Sequence, residues 1–169
     1  ADLSDQVYID FGHELGELVV LPRGQLPGFP EIEAISRDAN ESPQLAKYRE
    51  GAFLWHIDGT TTPNPHRATI LSCRRIAVGD EGDTELANTY AAYDALSDAD
   101  KALIDGLQVQ HTFAAAQRKA FPNASEKVQA SWNDAPSRVH PLAVERYDGR
   151  KWLMVGATAD HVIDMDPAE

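Results

Sequence analysis

The stretch FLWHIDG at residues 53–59 decides the prediction of the fold. In an extended strand, successive side chains point to opposite faces. Phe53 and Trp55 then lie on an apolar face that suits a core, while His56 and Asp58 lie side by side on the other face. Imidazole and carboxylate belong to the ligand set that holds non-haem iron(II) and leaves coordination positions open. The stretch therefore predicts a strand that carries a candidate metal site.

The composition is that of an ordinary globular domain. The chain has 169 residues, 43% of them hydrophobic and 25% charged, so a single domain over residues 1–169 is expected. The formal net charge of −12 argues against nucleic acid and against an anionic membrane surface as partners. No apolar run is long enough to span a membrane. Cys73 is the single cysteine, which excludes an intrachain disulfide and favours a cytoplasmic location.

Short extended segments outnumber helical patterns. One helix is predicted over Tyr90–Leu96, behind a cap at Asn88 or Thr89. A capping box at Ser97–Asp100 opens a second helix, which Gly106 stops. Strands are predicted at Tyr8–Phe11, Gly16–Leu21, Glu33–Ser36, Phe53–Asp58, Ala68–Ala77, Thr84–Ala87 and Leu107–Phe113, with a hairpin of Leu142–Tyr147 and Lys151–Val155 through Asp148-Gly149. These elements predict a mostly β domain, a sandwich or barrel with flanking helices.

Three further segments have weaker patterns. Residues 22–50 are rich in Pro, Gly and charge, which predicts a long loop of unassigned role with a short helical turn at Gln44–Arg49. Residues 114–132 are polar and irregular, and partly helical at most. Asp164–Glu169 has the pattern of a helix start, with Pro167 in the first turn. A chain that stops where a helix begins is expected to be incomplete at its C-terminus.

Several short pieces occur in a characteristic order. They are Phe11-Gly12, Trp55-His56-Ile57-Asp58 with the Thr/Pro loop behind it, the segment Ala68–Ala77 leading into Gly82-Asp83-Thr84-Glu85-Leu86, the run Tyr90–Ser97, His111 with Phe113, and His140-Pro141 before Gly149-Arg150. Together they resemble the taurine dioxygenase-like family of Fe(II)/2-oxoglutarate-dependent oxygenases. The resemblance covers about residues 11–165, and the order and spacing of the pieces make it specific.

The resemblance implies a fold, a reaction and a set of partners. The fold is a distorted double-stranded β-helix, a cupin-like jelly roll. The reaction couples the oxidation of a small organic molecule, commonly its hydroxylation, to the conversion of 2-oxoglutarate and O₂ into succinate and CO₂. His56 and Asp58 match the first two iron ligands, and the carboxylate of Asp58 favours oxygenation over halogenation. Members of the family often form dimers or tetramers, so a homo-oligomer is expected.

Three further residues match weaker parts of the family pattern. Thr84 matches a threonine whose hydroxyl helps to bind 2-oxoglutarate, although a hydroxyl that only ends a turn remains an alternative. Gly59 lies where the family's backbone approaches the substrate, and a requirement of the turn itself is an equal alternative. His111 aligns with part of the wall on the substrate side, and a histidine at a strand end with a structural role is the favoured alternative.

The remaining parts of the family's site are missing from the 169 residues. His140 matches a His-Pro that is not a ligand, and His161 comes too early for the second metal histidine. No arginine follows His161 to clamp 2-oxoglutarate, so the third ligand and the clamp are expected beyond Glu169. Ala52 and Phe53 replace polar residues that precede the first ligand in the taurine enzymes. Taurine catabolism is therefore in doubt for this chain, and a more apolar substrate is expected.

Two other functions compete with the dioxygenase. The first is a family member without turnover that serves as a binding module, which explains the missing ligand and clamp directly. The second is a cupin-like metal hydrolase or isomerase, in which the metal activates water. Activity that requires metal but neither 2-oxoglutarate nor O₂ would identify the second.

Overall fold

The structure, a computed structural model, describes residues 3–20, 24–36, 40, 49–75 and 83–166. The chain divides into two compact units, residues 1–50 and residues 51–169. The single-domain expectation remains a prediction. None of the helices in the described ranges combines the length and the apolar character that crossing a membrane requires.

A helix opens the first unit. Helix α1 spans Asp5–Leu15, and the hydroxyl of Ser4 caps it by accepting a hydrogen bond from the Val7 amide. Ile9 and Gly12 are its buried positions. The strand predicted at Tyr8–Phe11 is therefore wrong, because the cap and the buried residues three apart select a helix.

A small hairpin follows α1. Strands β1 (Gln25–Leu26) and β2 (Phe29–Glu33) pair in antiparallel fashion inside the predicted long loop. The strand predicted at Glu33–Ser36 overlaps β2 only at its first residue. Residues 16–20 form no strand, and Leu21 lies outside the described residues, as does most of the turn predicted at Gln44–Arg49.

The second unit contains the candidate metal residues. A 3-10 helix at Arg49–Phe53 leads into it from the first unit. In chain order the remaining elements are α2 (Thr89–Asp94), α3 (Asp98–Ile104), β3 (Gln108–Thr112), α4 (Phe113–Ala120), α5 (Glu126–Trp132), β4 (Ser137–Pro141), β5 (Ala143–Glu145), β6 (Lys151–Leu153) and β7 (Ala159–Val162).

A three-stranded antiparallel sheet is the centre of the second unit. Strand β3 lies between β4 and β7, with Val109 opposite His140 on one side and Val162 on the other. The register with β7 shifts between Gln110 and His111, which is a bulge or irregularity. The buried side chains of the unit include small and apolar residues together with four polar ones: Val109, Ala114, Ala115, Trp132, Met154, Ala157, Thr60, His111, Gln117 and His140.

Local sequence signals placed several elements correctly. The carboxamide oxygen of Asn88 accepts bonds from the first amides of α2, and Ser97 caps α3 through the Asp100 amide. Gly106 follows α3 with a φ of +83°, as a helix stop requires. Strand β3 confirms the strand predicted at Leu107–Phe113, and the β5–β6 pair confirms the hairpin through Asp148-Gly149.

Other predicted strands are wrong. Residues 54–58, the described residues 68–75 and residues 84–87 are irregular. The carbonyl of Trp55 does accept a bond from the Ala157 amide, but a strand needs a continued ladder. The partly helical character predicted for residues 114–132 is confirmed, since α4 and α5 contain most of them and residues 121–125 are not helical. Asp164–Asp166 is not helical, and residues 167–169 lie outside the described residues. The described chain is thus a mixture of helices and antiparallel strands rather than mostly β.

Candidate functional site

His56 and Asp58 lie next to each other, as the sequence predicted. The distance from His56 Nε2 to the nearer carboxylate oxygen of Asp58, Oδ1, is 3.6 Å. Their side chains are 39% and 43% exposed, so a ligand can reach both from solvent. Neighbouring Phe53 and Trp55 are 69% and 57% exposed, so the apolar core face predicted for this stretch is wrong. Because the stretch is not a strand, its side chains do not alternate between a core and a solvent face.

The imidazole of His56 is oriented for metal binding through Nε2. Its Nδ1 lies 2.6 Å from the carbonyl oxygen of Leu54, and a carbonyl can only accept a hydrogen bond. Nδ1 is therefore the donor to Leu54, and in the neutral tautomer with this proton the lone pair is on Nε2, the nitrogen beside Asp58. Metal-binding histidines commonly donate from the other ring nitrogen to a backbone carbonyl in this way.

Thr69 orients the carboxylate. Its hydroxyl donates to Asp58 Oδ2 over 2.7 Å, while Oδ1 is the oxygen nearer to His56. One oxygen of Asp58 is thus held by the protein and the other faces the imidazole. The sequence analysis did not identify Thr69, because a hydroxyl eleven residues further along the chain carries no local signal.

A tight turn directly follows the pair. Gly59 has a φ of +75°, and a Cβ there would lie 2.8 Å from the backbone nitrogen of His66. Both facts require glycine. The hydroxyl of Thr62 lies 2.7 and 2.9 Å from the Gly59 and Asn64 carbonyl oxygens, which share its one proton, and this contact closes the turn. Of the two roles considered for Gly59, the turn has a direct structural cause, and the substrate role stays a prediction.

The segment Gly156–Ala159 lies against the backbone of the pair. The Ala157 amide donates to the Trp55 carbonyl over 2.8 Å. A Cβ at Gly156 would lie 3.1 Å from the Cα of His56, so the two backbones are in close contact. Lys119 of α4 holds the same segment, since its ammonium donates to the carbonyls of Ala157 and Ala159 at 2.8 and 2.9 Å.

His111 is the most buried of the predicted site residues. It is fully buried on β3, and Nδ1 lies 3.0 Å from the hydroxyl of Thr158. Nε2 makes no hydrogen bond of normal geometry within the described part of the chain. Burial lowers the pKa of His111, and the nearby His140 and Lys119 lower it further, against a weaker opposing effect of the Met154 backbone. This environment is that of a neutral core histidine, and the predicted substrate contact of His111 stays a prediction.

The neutrality of His111 predicts a pH dependence of stability. Its pKa is lowered in the folded state, so below the ordinary histidine pKa of 6.5 the unfolded chain binds a proton that the folded chain does not bind. Stability from this group is complete above pH 6.5 and declines as the pH falls. Between pH 7.5 and 5.5 we expect His111 to remove up to about 1.4 kcal/mol from the free energy of unfolding.

Urea unfolding of the wild-type protein and of His111→Gln at several pH values tests this expectation. The variant should lose less stability than the wild type on going from pH 7.5 to 5.5. Between pH 7.5 and 9 the two should change in parallel, since histidine is neutral in both states there. An equal decline in both proteins on acidification would contradict a neutral buried His111.

The other residues considered lie apart from the pair. His140 is buried, and its Nε2 lies 3.1 Å from the Thr62 carbonyl oxygen. His161 is exposed, with Nδ1 2.9 Å from Asp160 Oδ2. Thr84 lies in the exposed irregular segment before α2, and its role toward 2-oxoglutarate stays a prediction. In the described ranges no group of three or more His, Cys, Asp or Glu side chains is placed to hold a metal ion.

His56 and Asp58 nevertheless fit one metal ion. Protein ligands of these types bind divalent metals at about 2.0–2.2 Å, so two atoms 3.6 Å apart can contact the same ion. The free Nε2 lone pair and the anchored carboxylate are the required donors, one nitrogen and one oxygen. The pair therefore has the donor atoms for two positions of a metal site, and its role as iron ligands stays a prediction.

Several known proteins with similar sequences are named as alpha-ketoglutarate-dependent dioxygenases. A (S)-phenoxypropionate/alpha-ketoglutarate-dioxygenase of Sphingobium herbicidovorans is 30% identical over 139 residues, which is 79% of this chain and 48% of that protein. An alpha-ketoglutarate-dependent 2,4-dichlorophenoxyacetate dioxygenase of Cupriavidus pinatubonensis is 30% identical over 143 residues, 82% of this chain and 49% of that protein. The chain spans about half the length of these relatives.

Solved structures show which fold the chain resembles. A putative alpha-ketoglutarate dependent 2,4-D dioxygenase from Burkholderia xenovorans has a TM-score of 0.65 at 23% identity, over 98% of this chain and 56% of that one. AAD-2, crystallised with Mn(II) and N-oxalylglycine, has a TM-score of 0.68 at 21% identity, over 98% and 55%. A sequence profile described as "Taurine catabolism dioxygenase TauD, TfdA family" matches residues 1–169. The chain therefore belongs to the TauD/TfdA family.

Proposed function

We propose that the protein is an Fe(II)- and 2-oxoglutarate-dependent dioxygenase that oxidises a small organic molecule and releases succinate and CO₂. The observation that carries the proposal is the adjacency of His56 Nε2 and Asp58 Oδ1, with the other atom of each group already held by Leu54 and Thr69. Family membership and the names of the relatives support the reaction.

In this proposal each described residue has a defined task. His56 and Asp58 bind the iron, which when bound supplies the activation of O₂. The Leu54 carbonyl keeps the proton on His56 Nδ1, and the Thr69 hydroxyl fixes the Asp58 carboxylate. Thr84 contributes a hydroxyl toward 2-oxoglutarate.

The rest of the site comes from outside the 169 residues. A second histidine completes the metal site, and an arginine clamps 2-oxoglutarate in a bidentate manner. This part of the proposal is supported by the longer relatives, of which the chain spans about half. With those residues the chain forms a single catalytic domain with the distorted jelly-roll fold, and it works as a cytoplasmic homo-oligomer.

The substrate is proposed to be a small organic acid with an apolar body. Ala52, Phe53 and Trp55 precede or flank the first ligand, and all three are exposed next to the pair. Two relatives are named for phenoxypropionate and 2,4-dichlorophenoxyacetate, which are acids of this class. Release of succinate with either compound, at a rate well above that with taurine, is the expected result of a substrate comparison.

An anaerobic titration tests the proposed function. The native protein is titrated with Fe(II) and then with 2-oxoglutarate, and the weak visible charge-transfer band of the chelate is followed. We expect the band to appear, and succinate to form once O₂ is admitted. Metal binding without the band, together with turnover that needs neither 2-oxoglutarate nor O₂, would favour the hydrolase. Absence of both the band and turnover would favour the binding module.

Thr69→Val should weaken the metal site without removing a ligand. The variant loses the hydrogen bond to Asp58 Oδ2 but keeps the shape of the side chain. Partners of ligands contribute about 10- to 100-fold to metal affinity, so we expect a rise in the Fe(II) dissociation constant of about tenfold. Thr89→Val at the start of α2 makes the same chemical change away from the pair and is the control. Equal affinities of the two variants would contradict this role for Thr69.

A further inference from the structure

One hydroxyl in the second unit joins elements that are far apart in the sequence. The Oγ1 atom of Thr158 lies 2.8 Å from Oγ1 of Thr60 and 3.0 Å from Nδ1 of His111. Thr60 comes two residues after Asp58 and is 2% exposed, and His111 is fully buried. The three groups therefore form a hydrogen-bonded bridge from the central sheet to the segment that carries the metal residues.

The hydroxyl of Thr158 has one proton for the two hydrogen bonds of the bridge. A hydroxyl donates one hydrogen bond and can accept two, so Thr158 donates to at most one of His111 and Thr60 and accepts from the other or from both. In every arrangement Thr158 connects His111 to Thr60. Serine keeps both bonds, whereas valine keeps the shape and loses both. Comparing the valine and serine variants therefore separates the effect of the hydroxyl from the effect of the side-chain shape.

The position of Thr158 is itself fixed from several sides. Its carbonyl accepts a bond from the Thr112 amide at 2.9 Å, which ties it to the end of β3. The preceding residue, Ala157, donates to the Trp55 carbonyl and accepts from Lys119. Gly156 packs against the Cα of His56. The segment therefore contacts the metal-binding stretch before His56, at His56 and after Asp58.

We propose that Thr158 is a positioning residue. Its hydrogen bond to Thr60, two residues after Asp58 in the chain, sets the distance between His56 and Asp58. The Trp55 bond to Ala157 holds the stretch on one side of the pair, and the Thr60–Thr158 bond holds it on the other. Without the second bond the stretch after Asp58 loses its side-chain link to Thr158 and keeps the Gly59–Thr62 turn, the Thr69 bond to Asp58 and the contact of His140 with the Thr62 carbonyl. This inference rests on the proposed function, since it assigns a task within that site.

The test compares Thr158→Val, Thr158→Ser and the wild type by anaerobic Fe(II) titration in the presence of 2-oxoglutarate. We expect Thr158→Val to raise the Fe(II) dissociation constant by up to about tenfold, the lower end of the range for direct partners of ligands, because Thr158 acts through Thr60, and we expect the charge-transfer band to shift. Thr158→Ser should stay within about threefold of the wild type, because it keeps the hydroxyl. Ser97→Ala removes a helix cap distant from the pair and controls for a general loss of stability.

Thr60→Val provides an independent second variant. It breaks the same bond from the other side, so it should match Thr158→Val, and the double variant should lose no more affinity than either one. If Thr158→Val does not fold, Thr60→Val with Thr60→Ser decides the question. Wild-type affinity in the valine variants, additive losses in the double variant, or equal losses with valine and serine would each overturn the proposal. If the wild type shows no band at all, the proposed function fails, and this inference fails with it.

Discussion

Replacing His56 by alanine should abolish the 2-oxoglutarate charge-transfer band and the release of succinate. The variant removes Nε2, the nitrogen that the Leu54 carbonyl leaves free to bind metal. A direct ligand contributes more than its hydrogen-bonding partners, so the loss in Fe(II) affinity should exceed the 10- to 100-fold range of such partners. Anaerobic titration of the variant beside the wild type measures the effect.

His161→Ala is the matched control for this experiment. It makes the same substitution at an exposed histidine whose Nδ1 bonds the neighbouring Asp160. We expect it to keep the band, in agreement with the rejection of His161 as a ligand. Loss of the band in His161→Ala, or its survival in His56→Ala, would move the metal site away from His56 and Asp58.

Replacing Gly59 by alanine should be the most destabilising single change near the site. A φ of +75° costs an L-residue about 1–2 kcal/mol. The new Cβ would also lie 2.8 Å from the backbone nitrogen of His66, and a backbone atom cannot move away as a side-chain end can. We expect a total loss of about 3 kcal/mol or more, which lowers the Tm by roughly 6–12 °C for a chain of this size.

Gly149→Ala separates the two contributions. Gly149 lies in the β5–β6 hairpin with a φ of +80°, and a Cβ there meets nothing within 4 Å. It should therefore cost only the backbone term, about 1–2 kcal/mol. Thermal unfolding of both variants gives the comparison. Equal losses would show that the contact with His66 is relieved in the variant and that the turn is less rigid than the structure implies.

The sequence predicted best where the signal is local. The caps at Asn88 and Ser97, the stop at Gly106 and the hairpin at Asp148-Gly149 were all confirmed, because each depends on residues within one turn. The prediction failed for α1, where a strand was predicted at Tyr8–Phe11 and the helix cap at Ser4 was missed. It failed again at residues 53–58, where a composition typical of a strand lacks the neighbouring ladder that makes a strand.

The sequence by itself indicated the family, and it indicated that His56 and Asp58 are neighbours, since only one residue separates them in the chain. Only the tertiary structure decided how the pair is held. Thr69 on the carboxylate, Gly156 against His56, and the bridge from Thr60 through Thr158 to His111 join residues 11 to 100 positions apart. Such contacts depend on how the chain folds back on itself, and a hydroxyl or a glycine gives no sign in the sequence of the partner that it will meet.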